Sequence, residues 1–128
     1  MSTHRLVAEQ FVPRPQAEVF AFFARPENLA RITPADMSFE LTGTDRTMRR
    51  GLRLAYRLRP LFSIPTTWSS EITRYEPPAD FVDVQVRGPY ARWEHTHTFE
   101  PAREGSALGA RISDSITYRL PSGRLATS

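Results

Sequence analysis

Trp93, His95, His97 and Phe99 occupy every second position of the segment RWEHTHTFE at 92–100, and the chain's third histidine is His4. On a β-strand, residues two apart share a face. The spacing therefore predicts two imidazoles side by side, flanked by aromatic rings. Imidazole titrates near neutral pH and is a common metal ligand. Tetrahedral zinc needs three or four such ligands. His95 and His97 supply two, and Asp114, on the inward face of a neighbouring predicted strand, would be a third. The chain has no cysteine, and His4 lies far away on the first predicted strand. The ligand count falls short, so no metal and no cofactor is expected. Acid–base chemistry asks for less: a His–Asp pair in a pocket of low polarity can move a proton at neutral pH. His95 or His97 would be the acid or base, with Asp114 or Asp83 holding its tautomer. Two readings without turnover compete. Buried histidines usually hydrogen-bond within a core, and an apolar pocket with a few placed polar groups is the usual form of a small-molecule site. Nucleophile elbow, phosphate loop and dinucleotide fingerprint are all absent from the sequence.

The elements that must position these side chains follow from periodicity. HRLVAEQFV (4–12) reads as a first strand. Two short helices follow: Pro15 suits a first helical turn, Val19, Phe20 and Phe23 form an apolar stripe, and Pro26 breaks that helix and starts the next. Leu29 and Ile32 face inward on the second helix, which Thr33-Pro34 ends. After Pro34 the period becomes two, with predicted strands at 38–43, 51–60, 66–76, 80–88, 91–100 and 109–120. GLRLAYRLRP alternates Leu52, Leu54, Tyr56 and Leu58 against Arg53, Ala55, Arg57 and Arg59, the mark of a strand with one face buried. Inward-facing Tyr56, Trp68, Trp93, Phe99, Ile112, Ile116 and Tyr118 would wall an apolar site.

One register is ambiguous. In DFVDVQVRG the valines compete for the inward face with Phe81, Asp83 and Gln85. A one-residue slip flips every side chain, so the turn GPY decides. Pro89 cannot take the positive φ that a two-residue hairpin needs at its first position. A longer loop is expected, with Asp83 and Gln85 inward beside the histidines.

The 128 residues suit one domain with a real core. The net charge of +3 comes from 17 arginines and no lysine against 14 acidic residues, a composition typical of GC-rich bacterial genes. Arg53, Arg57 and Arg59 fall on the polar face of one strand, which reads as a solvated outer surface, so nucleic acid is not an expected partner. There is no apolar run of membrane-spanning length and no signal-peptide layout; stable membrane insertion is not expected, and a cytoplasmic location is.

The segments QFVPRPQAEVFAFFARPENLARITP, WSSEITRYEPPADFVDVQVRGPYARWEHTHTFEP and DSITYRLP together resemble the SRPBCC superfamily of START-like, helix-grip domains, in its bacterial ligand-binding or cyclase/dehydrase-like branch. The resemblance covers about residues 5–123 and implies an α+β fold: a curved antiparallel sheet of about seven strands around a long C-terminal helix, with an apolar cavity between them. Only five residues follow Gly123, so the long helix is expected to be missing and residues 1–128 to form one domain that is C-terminally truncated relative to the family. A homodimer covering the open concave face is the expected consequence. The function the resemblance implies is binding of a hydrophobic small molecule or lipid without turnover, contacted by Tyr56, Trp68, Asp83, Gln85, Trp93, His95, His97, Phe99, Ile112, Asp114, Ile116 and Tyr118. The alternatives are a polyketide cyclase or dehydratase using His95, His97 and Asp114, and an interaction module using the exposed apolar face.

Overall fold

The computed structural model describes residues 2–28, 37–43, 45–60 and 66–121. Strand β1 (Thr3–Val12) is followed by helix α1 (Gln16–Phe23) and then by six strands: β2 (Met37–Leu41), β3 (Arg53–Pro60), β4 (Thr66–Glu76), β5 (Asp80–Arg87), β6 (Arg92–Glu104) and β7 (Ala107–Arg119). They form one antiparallel sheet in the order β1-β7-β6-β5-β4-β3-β2. This is the curved seven-stranded sheet of a helix-grip fold. Of the second predicted helix, residues 26–28 are described and form a short 3-10 turn. The remainder of that prediction, with Leu29, Ile32 and Pro34, lies outside the described residues.

Helix α1 starts one residue after Pro15, whose carbonyl accepts from the Val19 N–H at 3.0 Å. Its apolar stripe lies on the inner face of the sheet. The Phe20 ring meets Phe99, Tyr75 and Phe81 with centroids 5.1, 5.8 and 5.9 Å apart. The Gln16 side chain donates to the Phe99 carbonyl at 2.8 Å, tying the helix to β6. At the other end the Asn28 amide donates to the Phe22 carbonyl at 2.7 Å, satisfying an acceptor that a helix end would leave open.

β6 and β7 run longer than period-two reading suggests. The connection between the predicted strands at 91–100 and 109–120 is a two-residue hairpin closing the pair Glu104↔Ala107, with Gly105 at φ 61°. Gly tolerates that conformation without steric cost. Pro101 sits inside β6 because β5 pairs no further than Thr98. The Phe99 N–H points to that side, donating to Ala79. The N position two residues on faces the same way, where no strand remains to lose a bond.

The inner-face core comprises Leu52, Leu54, Tyr56, Trp68, Ile72, Phe81, Phe99, Ala110 and Ile112 with Val19 and Phe20 of the helix. The outer face is charged and paired: Arg53 meets Glu71 at 2.9 Å, Arg74 meets Asp80 at 2.7 Å and Arg57 meets Glu40 at 3.9 Å. Gly109 marks the tightest backbone approach, where the end of β1 folds over β7. A Cβ there would collide with the Val12 carbonyl oxygen, the Phe11 ring and Pro13. Gly109→Ala is therefore expected to destabilise the fold by about 1–3 kcal/mol, the usual cost of overpacking, read by urea denaturation.

Candidate functional site

The register assembles the site from three central strands. β5 and β6 pair Phe81 with His97 and Asp83 with His95, and β6 and β7 pair His97 with Asp114 and His95 with Ile116. Directly paired residues share a face, so Asp83, His95, His97 and Asp114 converge on the inner side. The turn chemistry behind this is visible. The Gln85 amide donates to the Tyr90 carbonyl at 2.7 Å and its oxygen accepts from the Tyr90 N–H at 3.2 Å. Gln85 thus holds the GPY loop from beneath, and the loop keeps odd residues of β5 opposite odd residues of β6. On the other side of β5, a bulge at Thr73 shifts the parity of β4. It keeps Ile72 and Tyr75 on the inner face, opposite Asp83 and Phe81, and puts Arg74 outside against Asp80.

The four polar side chains form one hydrogen-bonded chain. His97 Nε2 lies 2.8 Å from Asp83 Oδ2, His97 Nδ1 lies 3.2 Å from Asp114 Oδ1, and His95 Nε2 lies 2.9 Å from the same Asp114 oxygen. The His97 ring is sandwiched: Phe81 stacks on one side at 4.2 Å and His95 at 3.7 Å. Its side chain is only 5% exposed, against 15% for His95 and 30% for Asp114.

Burial alone would make His97 neutral. The hydrogen bonds and charges of Asp114 and Asp83 more than offset that desolvation and raise its pKa to about 9. Only a doubly protonated ring can donate to both carboxylates, so His97 is an imidazolium at neutral pH. Asp114 is the reciprocal case. Burial pushes its carboxyl up, but the hydrogen bonds from His95 and His97 and their charges hold it well below the usual carboxylate range. Near this chain, burial and then the negative charge of Asp83 push the Tyr56 hydroxyl well above its ordinary value. It stays protonated and shares a 2.9 Å hydrogen bond with Ser70.

A groove of about 340 Å³ opens between β1, β7, β6 and α1. Phe23, Phe99, Ile112 and Ile116 make its apolar wall, with Ala8 and Gln10 from β1, and His95, His97 and Asp114 form its polar floor. Of the residues expected from sequence to contact a ligand, His95, His97, Phe99, Ile112, Asp114 and Ile116 thus line it. The others sit elsewhere. Tyr56 and Trp68 are buried in the core of β3 and β4. Asp83 lies behind His97, and Gln85 is committed to the turn. Trp93 and Tyr118 join Tyr90 and Trp68 in an aromatic cluster with centroids 4.7–6.0 Å apart. Sequence reasoning missed Ala8 and Gln10, although the alternation along β1 puts them with Leu6 on one face. A second depression, about 570 Å³, lies on the far side of α1. Its charged residues are Arg25 and Glu27, which pair at 2.9 Å, and Arg46, which donates to the Leu41 and Gly43 carbonyls at 3.3 Å.

Asp83, His95 and His97 bring potential metal-ligand atoms within 4.8 Å of one another. Counting ligands along the sequence had not joined Asp83 to both histidines. In the arrangement described here, His97 Nε2 meets Asp83 Oδ2 at 2.8 Å and His95 Nε2 meets Asp114 Oδ1 at 2.9 Å.

The family model described as "Polyketide cyclase / dehydrase and lipid transport" matches residues 3–127. No curated protein matches the chain. Among solved structures, TTHA0849 from Thermus thermophilus is similar at 22% identity and TM-score 0.68, over 97% of this chain and 80% of that one. The ginseng major latex-like protein 151 from Panax ginseng is similar at 13% identity and TM-score 0.67, over 98% and 88%. A Thalictrum flavum norcoclaurine synthase point mutant, in complex with a transition-state analogue, is similar at 14% identity and TM-score 0.68, over 94% and 77%. These likenesses are of fold.

Proposed function

Because this chain belongs to the polyketide cyclase / dehydrase and lipid transport family, we propose that it binds a hydrophobic small molecule or lipid in the groove between α1 and β1, β7 and β6. The observation that carries this reading is the groove itself, with four apolar side chains around a small polar floor. That is the composition of small-molecule sites generally. The neutral probe N-phenyl-1-naphthylamine is expected to bind with a rise in fluorescence. Ile116→Trp fills the groove from β7 and is expected to weaken that binding by about tenfold or more, a loss of about 1.4 kcal/mol, while urea denaturation shows the fold retained. Equal probe binding by the variant would remove the groove from the reading.

A second reading, turnover of the cyclase or dehydratase kind, draws on His95. With Asp114 ionised, the His95 Nε2–H donates to it, and this fixes the tautomer whose Nδ1 carries a lone pair. His97 is unsuited to the role of base, since both its N–H groups are already given to carboxylates. His95→Gln tests this second reading, because it removes the proton acceptor; turnover that survives it is not carried by His95.

A further inference from the structure

The polar floor of the groove is asymmetric in what it can offer a ligand. His97 is the cation of the chain, and both of its N–H groups are spent, one on Asp83 and one on Asp114. His95 Nε2 is spent on Asp114 as well. Asp114 accepts both of its bonds through Oδ1. Among the described residues its other oxygen, Oδ2, accepts none, and the side chain is partly exposed to the groove. The free valences at the floor are therefore acceptors: Asp114 Oδ2 and the His95 Nδ1 lone pair. Among the described residues no cationic side chain besides His97 lines the groove, and the Glu9 carboxylate alternates onto the outer face, where it accepts from the Ser113 hydroxyl at 3.5 Å. Arg5, Arg111 and Arg119 on β1 and β7 alternate onto the outer face, as their pairing with Thr117, Phe11 and Thr3 requires.

We propose, resting on the binding reading above, that the groove selects amphiphiles whose polar end donates a hydrogen bond, a hydroxyl or an amine, and discriminates against carboxylates. The donor meets Asp114 Oδ2, and the apolar body lies along Phe23, Phe99, Ile112 and Ile116. A charge-assisted bond to a carboxylate is among the stronger hydrogen bonds, whereas an anionic head would leave both itself and Asp114 without a donor. The protein's net charge of +3 acts in the opposite direction, so a preference for donors would reflect the groove rather than the long-range field.

The test displaces N-phenyl-1-naphthylamine from the wild-type protein at pH 7 with three ligands sharing one body: 4-phenylbutylamine, 4-phenylbutan-1-ol and 4-phenylbutanoate. The amine and carboxylate carry charges of equal size, which makes their ratio the decisive quantity. The amine and the alcohol are expected to displace the probe at concentrations about tenfold lower than the carboxylate, the ratio that one charge-assisted hydrogen bond supplies. Asp114→Asn, checked for folding by circular dichroism, is expected to shrink the amine-to-carboxylate ratio to about threefold or less, because an amide can donate as well as accept. Probe binding with equal displacement by amine and carboxylate overturns the donor rule and leaves ligand binding standing. Failure of the probe and of all three ligands to bind overturns the binding reading and this inference together. The wild-type ratio decides the matter even if Asp114→Asn does not fold.

Discussion

His97→Ala is expected to lower the stability of the protein by about 3–5 kcal/mol, the cost of breaking a buried ion pair by removing one partner. His97 is 4% exposed in the middle of the sheet. Removing its ring leaves Asp83 and Asp114 facing each other across a cavity, each without its cationic donor, and strips the stacking partner from Phe81. For a domain of this size that corresponds to a fall of about 10–20 °C in Tm. Calorimetry or urea denaturation at pH 7 measures it. A double-mutant cycle isolates the cause. In an Asp83→Asn background the same His97→Ala change is expected to cost about 1–2 kcal/mol less, because one of the charges left behind is gone. A cost identical in both backgrounds would mean that His97 acts only by filling space.

The second large effect is on pH dependence. The His97 pKa is raised from 6.5 to about 9 on folding. A group whose folded pKa lies above its unfolded value stabilises fully below the unfolded value, and that stabilisation is lost as pH rises through the folded one. The window therefore runs from pH 6.5 to about 9, and the interval corresponds to about 3 kcal/mol. Wild-type stability in urea is expected to fall by about that amount between pH 6 and pH 10, relative to a His97→Gln variant measured in parallel. Asp114 has the opposite sign. Its folded pKa is depressed, so its contribution is present above the ordinary value of 3.8 and is lost only as pH falls well below it. Acid unfolding should accordingly set in at lower pH for wild type than for Asp114→Asn. A wild-type profile parallel to His97→Gln from pH 6 to pH 10 would contradict the doubly bonded imidazolium.

The charged chain and the apolar groove have different physical roles, which is why the two sets of tests are separable. Asp83 and His97 are the more buried half and hold three strands together at one point. Asp114 and His95 are the more exposed half and face the groove. Replacing the first pair changes stability, while the second pair is where a ligand can be felt.

Period two along WEHTHTF was sufficient to put Trp93, His95, His97 and Phe99 on one face, because the alternation of side chains is a property of a single strand. The same rule found the apolar faces of β3 and β7, while the helix-grip family was indicated separately, by the resemblance of the quoted segments. Alternation placed Asp114 inward as well. It could not say what these side chains would meet. His97 takes one proton acceptor from β5 and one from β7, and both partners are set by interstrand register. That register depends on the loop held by Gln85, and the parity of β4 depends on the bulge at Thr73, neither of which alternation can reveal. Counting histidines along the chain left a metal short of ligands. Folding added Asp83 to the cluster and then matched its buried imidazole donors to carboxylates. The aromatic residues show the same division: composition and spacing sent Trp68, Trp93 and Tyr118 inward, but packing gathered them at one end of the sheet with Tyr90 and left the groove to Phe23, Phe99, Ile112 and Ile116. Local periodicity determined which face each residue would take, while contacts between residues distant in sequence decided which of them would share a proton and which would line a cavity.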